Sequence, residues 1–143
     1  MPMHDPITGA QQRVNPDGSI CVGPIPFGAT SVSASSGNVA AATATATLPA
    51  AASKTTYIAG FVCSSGGATA AATVNVTATN TIGGTLTFCH GAQAGAGVPS
   101  APLVVMFDPP LPANALNTTI PVSMPSLGAG NTQASVSAWG YQL

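Results

Sequence analysis

Few residues in this sequence can carry chemistry. Asp5, Arg13, Asp17, Lys54 and Asp108 are the charged side chains, and His4, His90, Cys21, Cys63 and Cys89 complete the supply of ready proton carriers, nucleophiles and metal ligands; glutamate is absent. General acid–base and nucleophilic catalysis require such groups to converge from several elements with tuned pKa values. Here they are scattered: His4 and Asp5 lie near the start, Asp17 sits in the turn-like "NPDG", and His90 directly follows Cys89. Neighbours on a strand point to opposite faces, so Cys89 and His90 cannot form a catalytic pair. The inventory argues against an enzyme. The cysteines are odd in number and lack CxxC spacing, so the expectation is buried, reduced thiols, with no disulfide framework, no metal and no cofactor.

Asp108 is the sole charge after Lys54. Calcium takes about six to eight oxygen ligands and normally several carboxylates, so one aspartate does not make a site. The expectation is a structural role, with the carboxylate accepting backbone N–H groups at the proline-rich corner "DPPLPANALN". Trp139, Tyr141 and Leu143 share one face of the segment "TQASVSAWGYQL". The two aromatic rings could fill the core, anchor a subunit interface or stack a sugar. The sequons at Asn75 and Asn117 are expected by chance in a chain so rich in threonine.

Charged residues make up 3% of the chain, against about 25% in ordinary globular proteins. With a formal net charge of −1, copies repel one another little, and near-zero charge promotes association. Two cations cannot neutralise the roughly six to ten phosphates that specific nucleic-acid binding engages, so nucleic acid is excluded as a partner. A mean hydropathy of +0.40 argues against disorder, which pairs low hydrophobicity with high charge. No apolar run approaches the ~18 residues of a membrane span, and no membrane partner is expected. "MPMHDPITGAQQR" has neither a basic start nor an apolar core, so synthesis is expected to end in the cytoplasm.

The elements that would position these residues read as strands. In "VAAATATATLP", Thr43, Thr45 and Thr47 alternate with Ala42, Ala44, Ala46 and Leu48, which sorts hydroxyls to one face and methyls to the other. Pro49 ends the run, having no N–H to donate. "TTYIAGFVC" is apolar on both faces, with Tyr57, Ala59, Phe61 and Cys63 on one and Ile58, Gly60 and Val62 on the other under strict alternation. "ATVNVTAT", "TLTFCH", "PLVVMF", "TTIPVSM" and "TQASVSAWGYQL" follow, separated by turn clusters such as "SSGGAT" and "NTIGG". Prolines 109, 110 and 112 imply an irregular corner after "PLVVMF". No segment carries a helical stripe. The pattern predicts an all-β sandwich of about seven or eight strands, jelly-roll-like, over residues 31–143. Residues 1–30, rich in proline and glycine, read as an extended arm that packs on adjacent subunits or on a larger surface, with Ile25 and Phe27 as its anchors.

The stretches "KTTYIAGF" and "PLVVMFDPPLPANALNTTIPVSMPSLGAGNTQASVSAWGYQL" resemble small virion proteins of tailed bacteriophages, in particular capsid decoration or cement proteins. The likeness spans Gly37 to Leu143. It implies a β-sandwich or jelly roll, often a homotrimer, that sits on the exterior of an icosahedral shell, binds the major capsid protein and stabilises it after synthesis in the host cytoplasm. Candidate interface residues are then Ile25, Phe27, Trp139, Tyr141 and Leu143, with Asp108 as a structural turn. Neutral hydroxyl and methyl surfaces suit a lattice component, because they can be buried without desolvating charges. Two alternatives remain: a fibre or spike module that recognises host glycans, and a carbohydrate-binding β-sandwich. Both need an exposed aromatic platform.

Overall fold

A computed structural model describes residues 25, 26, 28–95 and 97–143. The arm over residues 1–24, Phe27 and Cys21 lie outside the described residues. The rest is all-β: β1 (Thr30–Ser35), β2 (Ala44–Leu48), β3 (Thr56–Gly66), β4 (Ala72–Thr81), β5 (Gly84–Ala92), β6 (Leu103–Pro112), β7 (Ile120–Met124) and β8 (Gln133–Gln142). Two four-stranded sheets face each other, one in the order β1-β8-β3-β6 and the other β2-β7-β4-β5, with every strand pair antiparallel. Successive strands mostly change sheets, which is the double Greek-key winding of an eight-stranded jelly roll.

Alternation builds the core. On β2, Ala44, Ala46 and Leu48 are buried while Thr45 and Thr47 are exposed, and on the paired β7 Ile120, Val122 and Met124 are buried in step. From the opposite sheet Ile58, Phe61 and Cys63 of β3 and Ala134, Val136 and Ala138 of β8 pack against them. Alanines on both inner faces let the two sheets lie close together. The bulk sits to one side, where Phe61 (β3), Phe88 (β5) and Phe107 (β6) meet with centroids 5.2–6.3 Å apart and rings tilted or edge-on. Edge-to-face pairs of this kind contribute about 0.5–1.5 kcal/mol beyond their buried area. They also close the seam between edge strands β5 and β6, which belong to different sheets.

Three local expectations are corrected. Strict alternation on β3 fails at a bulge between Ile58 and Gly60, where the register to both β6 and β8 shifts. The extra residue turns Ile58 and Phe61 inward together, while Tyr57 and Ala59 stay outside the core. The expected corner after "PLVVMF" is instead part of β6, which continues through Pro112, although its pairing with β3 jumps from Met106 to Leu111 and leaves residues 107–110, with the cis Asp108–Pro109 bond, outside the ladder. Among the described residues β6 pairs only with β3, at the edge of the sheet, and Pro109 and Pro110 lie in the stretch outside the ladder, where they cost no ladder hydrogen bonds. Finally, of the two described cysteines Cys63 is buried but Cys89 is exposed, because the outward side of β5 carries Thr85, Thr87 and Cys89.

Candidate interaction groove

The bulge on β3 sets up the most distinctive surface feature. Opposite it on β8, Trp139 pairs with Gly60 and Gly140 with Ile58. A Cβ on Gly60 would lie 2.7 Å from Trp139 Cζ2, 3.0 Å from its Cε2 and 2.7 Å from the Val105 carbonyl oxygen. Two adjacent indole carbons therefore rest directly on the Gly60 backbone. Glycine there lets the indole approach the sheet closely. A Cβ on Gly140 would collide with the Tyr57 carbonyl, so both glycines are required by close backbone approach, not by turn geometry.

Beside the indole, Tyr57 and Tyr141 stack with centroids 4.8 Å apart and planes at 17°. Both tyrosines stand outside the sandwich core. Tyr141 is nonetheless only 6% exposed, and burial, followed by the neighbouring Tyr57, holds its phenol above the ordinary tyrosine pKa. Around these rings runs a groove of about 630 Å³, lined by Ile25, Ser31, Ser33, Ala59, Met106, Asp108, Pro110, Trp139 and Tyr141 among others. Among the described residues Asp108 is its sole charged lining side chain. On β1, Ser31 pairs with Tyr141 and Ser33 with Trp139, so serine hydroxyls form the wall on that side, and Met106 of β6, 65% exposed, stands on the other.

The structure thus brings Ile25, Asp108, Trp139 and Tyr141 together at one groove. Leu143 lies apart, past the end of β8, where its backbone pairs with Thr55 and its side chain is exposed. The carboxylate of Asp108 is exposed and makes no hydrogen bond among the described residues. The groove itself was not readable from the sequence, since it depends on the bulge and on pairing across β1, β8, β3 and β6. Alternation alone placed Trp139 and Tyr141 on a common face.

A second cluster is interior. Ser65 Oγ and His90 Nε2 lie 2.8 Å apart, both residues buried, and burial holds the His90 imidazole below its ordinary pKa. Serine and histidine at that distance resemble part of a hydrolytic triad, but the acidic member is missing: Asp108, the one acidic side chain among the described residues, is exposed on the outer face of the β1-β8-β3-β6 sheet, whereas the pair is buried. The pair reads as a satisfied buried hydrogen bond. The Cys63 thiol is fully buried and pushed up to about 12 by desolvation, which keeps it protonated and unreactive. Among the described residues no group of three or more His, Cys, Asp or Glu side chains gathers as a metal site.

The outer face of the second sheet differs in character. Thr45 and Thr47 of β2, Ser123 of β7, Asn75 and Thr77 of β4 and Thr85 and Thr87 of β5 cover it with short neutral polar groups, and Thr45 hydrogen-bonds Ser123 at 2.9 Å. Large apolar side chains are exposed elsewhere: Val104 (58%) next to Met106 on β6, Ile82 (69%) in the β4–β5 turn and Leu116 (62%) in the β6–β7 loop. Ile82 N donates to Pro112 O, and Asn114 N to Asn80 O, so that turn and that loop meet at one end of the sandwich.

Neither a protein-family model, nor a curated protein, nor a solved structure matches this chain.

Proposed function

We propose that this chain is a structural virion protein that decorates and stabilises the exterior of an icosahedral phage capsid, acting as a homo-oligomer, a trimer by resemblance, on the major capsid protein, and that it has no enzymatic role. The observation that carries this reading is the surface. Ile82, Val104, Met106 and Leu116 are each more than half exposed, while Lys54 and Asp108 are the charged side chains among the described residues. An isolated soluble domain normally surrounds such groups with mixed charge, which keeps it dispersed. In an assembly the same groups are covered, and burying neutral hydroxyls that can hydrogen-bond costs far less than burying ions.

The jelly roll accommodates this role without dictating it, since the same architecture serves capsid subunits and lectins alike. The test is attachment. Purified protein mixed with shells lacking it should pellet with them at saturable stoichiometry and raise their melting temperature. Replacing Ile82 and Leu116 together by serine should weaken attachment while leaving the fold intact, because both side chains are already solvent-exposed. Protein that stays in the supernatant at every concentration would overturn the proposal.

A further inference from the structure

The geometry of the groove points to a second property, independent of whether the chain attaches to a shell: we propose that the Trp139–Asp108 groove is a binding site for a neutral pyranose saccharide. Sugar recognition needs a flat aromatic face for the axial C–H groups of a ring, and polar groups at its edge for the equatorial hydroxyls. Both are present together. The indole of Trp139 rests against the Gly60 backbone through Cζ2 and Cε2 and lines the groove.

Asp108 supplies a carboxylate at the rim, able to accept hydroxyl hydrogen bonds, which are stronger when the acceptor is ionised. Ser31 and Ser33 supply hydroxyls that both donate and accept, aligned by pairing with Tyr141 and Trp139. Neither serine hydroxyl is engaged elsewhere among the described residues. A volume of about 630 Å³ falls within the roughly 300–1,000 Å³ of small-molecule sites and suits one or two sugar rings. The mixture separates this groove from a protein-docking patch: it is concave, and it combines the indole with polar edge groups. Charge sets the specificity. With Asp108 as the charged lining group among the described residues, uronic and sialic acids meet like-charge repulsion, and neutral sugars are preferred.

Saturation-transfer-difference NMR on the full chain, with cellotriose, galactobiose and chitotriose as neutral probes and sialyllactose as the anionic one, reads the site directly. Transfer is expected to the ring C–H protons of at least one neutral probe, with millimolar affinity. Trp139→Ala should abolish it, and Asp108→Asn should weaken it by about tenfold, the scale of one charge-assisted hydrogen bond. Both side chains lie outside the core, and circular dichroism verifies that each variant is folded. Leu116→Ser, at the far loop, should bind as the parent does. No transfer to any neutral probe, equal transfer in the Trp139→Ala protein, or preference for sialyllactose would each overturn the assignment.

Discussion

Replacing Gly60 by alanine tests whether the indole rests where the geometry puts it. The new methyl would sit 2.7 Å from Trp139 Cζ2 and 2.7 Å from the Val105 carbonyl oxygen. Ordinary carbon contacts lie at about 3.5–4.0 Å, so both approaches overlap by close to an ångström. The indole can swing away toward solvent. The carbonyl cannot, because Phe61 pairs with Val105 and Gly60 with Met106 in the β3–β6 ladder, and moving it disturbs that pairing. Overpacking of this kind costs about 1–3 kcal/mol. At roughly 2–4 °C per kcal/mol for a chain of this size, the melting temperature should fall by about 2–12 °C. Trp139 is the only tryptophan, so its emission reports the displacement without interference. A red shift is expected in the native state. Gly91→Ala is the matched control: it also lies in a strand but has open space around its Cβ position, and it should leave stability within about 0.5 kcal/mol. A Gly60→Ala protein that melts with the parent and keeps its emission maximum would show that Trp139 does not lie on that glycine.

Other outcomes follow from the same geometry. Phe61→Ala removes the ring shared by Phe88 and Phe107 and should cost about 3–5 kcal/mol in a denaturant titration, whereas Thr47→Val on the exposed side of β2 should change stability by under about 0.5 kcal/mol. Burial holds the folded-state pKa of His90 below its ordinary value near 6.5, so the unfolded chain binds the proton first as pH falls. The stability contributed by neutral His90 is therefore complete above pH 6.5 and declines as pH drops through that value toward the folded pKa; thermal melts between pH 7.5 and 5 should show that slope in the parent and lose it in His90→Gln. In a Cys21→Ser background, Ellman's reagent should label Cys89 in the native protein and reach Cys63 only on unfolding.

Legibility in the sequence followed the range of the interactions involved. Strand β2 was readable because Ala44, Ala46 and Leu48 alternate with threonines and the pattern needs no partner to be recognised. Strand β1 was not, because "TSVSAS" offers only Val32 and Ala34 to the core and gains its order from pairing with β8, more than a hundred residues away in the chain. The prolines of β6 suggested a corner since their lost donors are harmful in a central strand, and nothing local states that β6 lies at an edge. The face shared by Trp139 and Tyr141 was legible from alternation. The groove was not: its floor depends on a bulge in β3, its walls on β1 and β6, and Asp108 reaches it from a strand that local reading placed in a loop. Ser65 and His90 meet across the two sheets, which no spacing of 25 residues announces.

The central claim is that the chain is an external component of a capsid. Electron cryo-microscopy of virions purified from the producing host addresses it most directly. The account predicts density on the outer shell surface into which the two sheets β1-β8-β3-β6 and β2-β7-β4-β5 fit, in symmetry-related copies, with Ile82 and Leu116 turned toward the major capsid protein or a neighbouring copy. Virions that contain no copy of the chain, or that carry it only at the tip of a fibre, would contradict it.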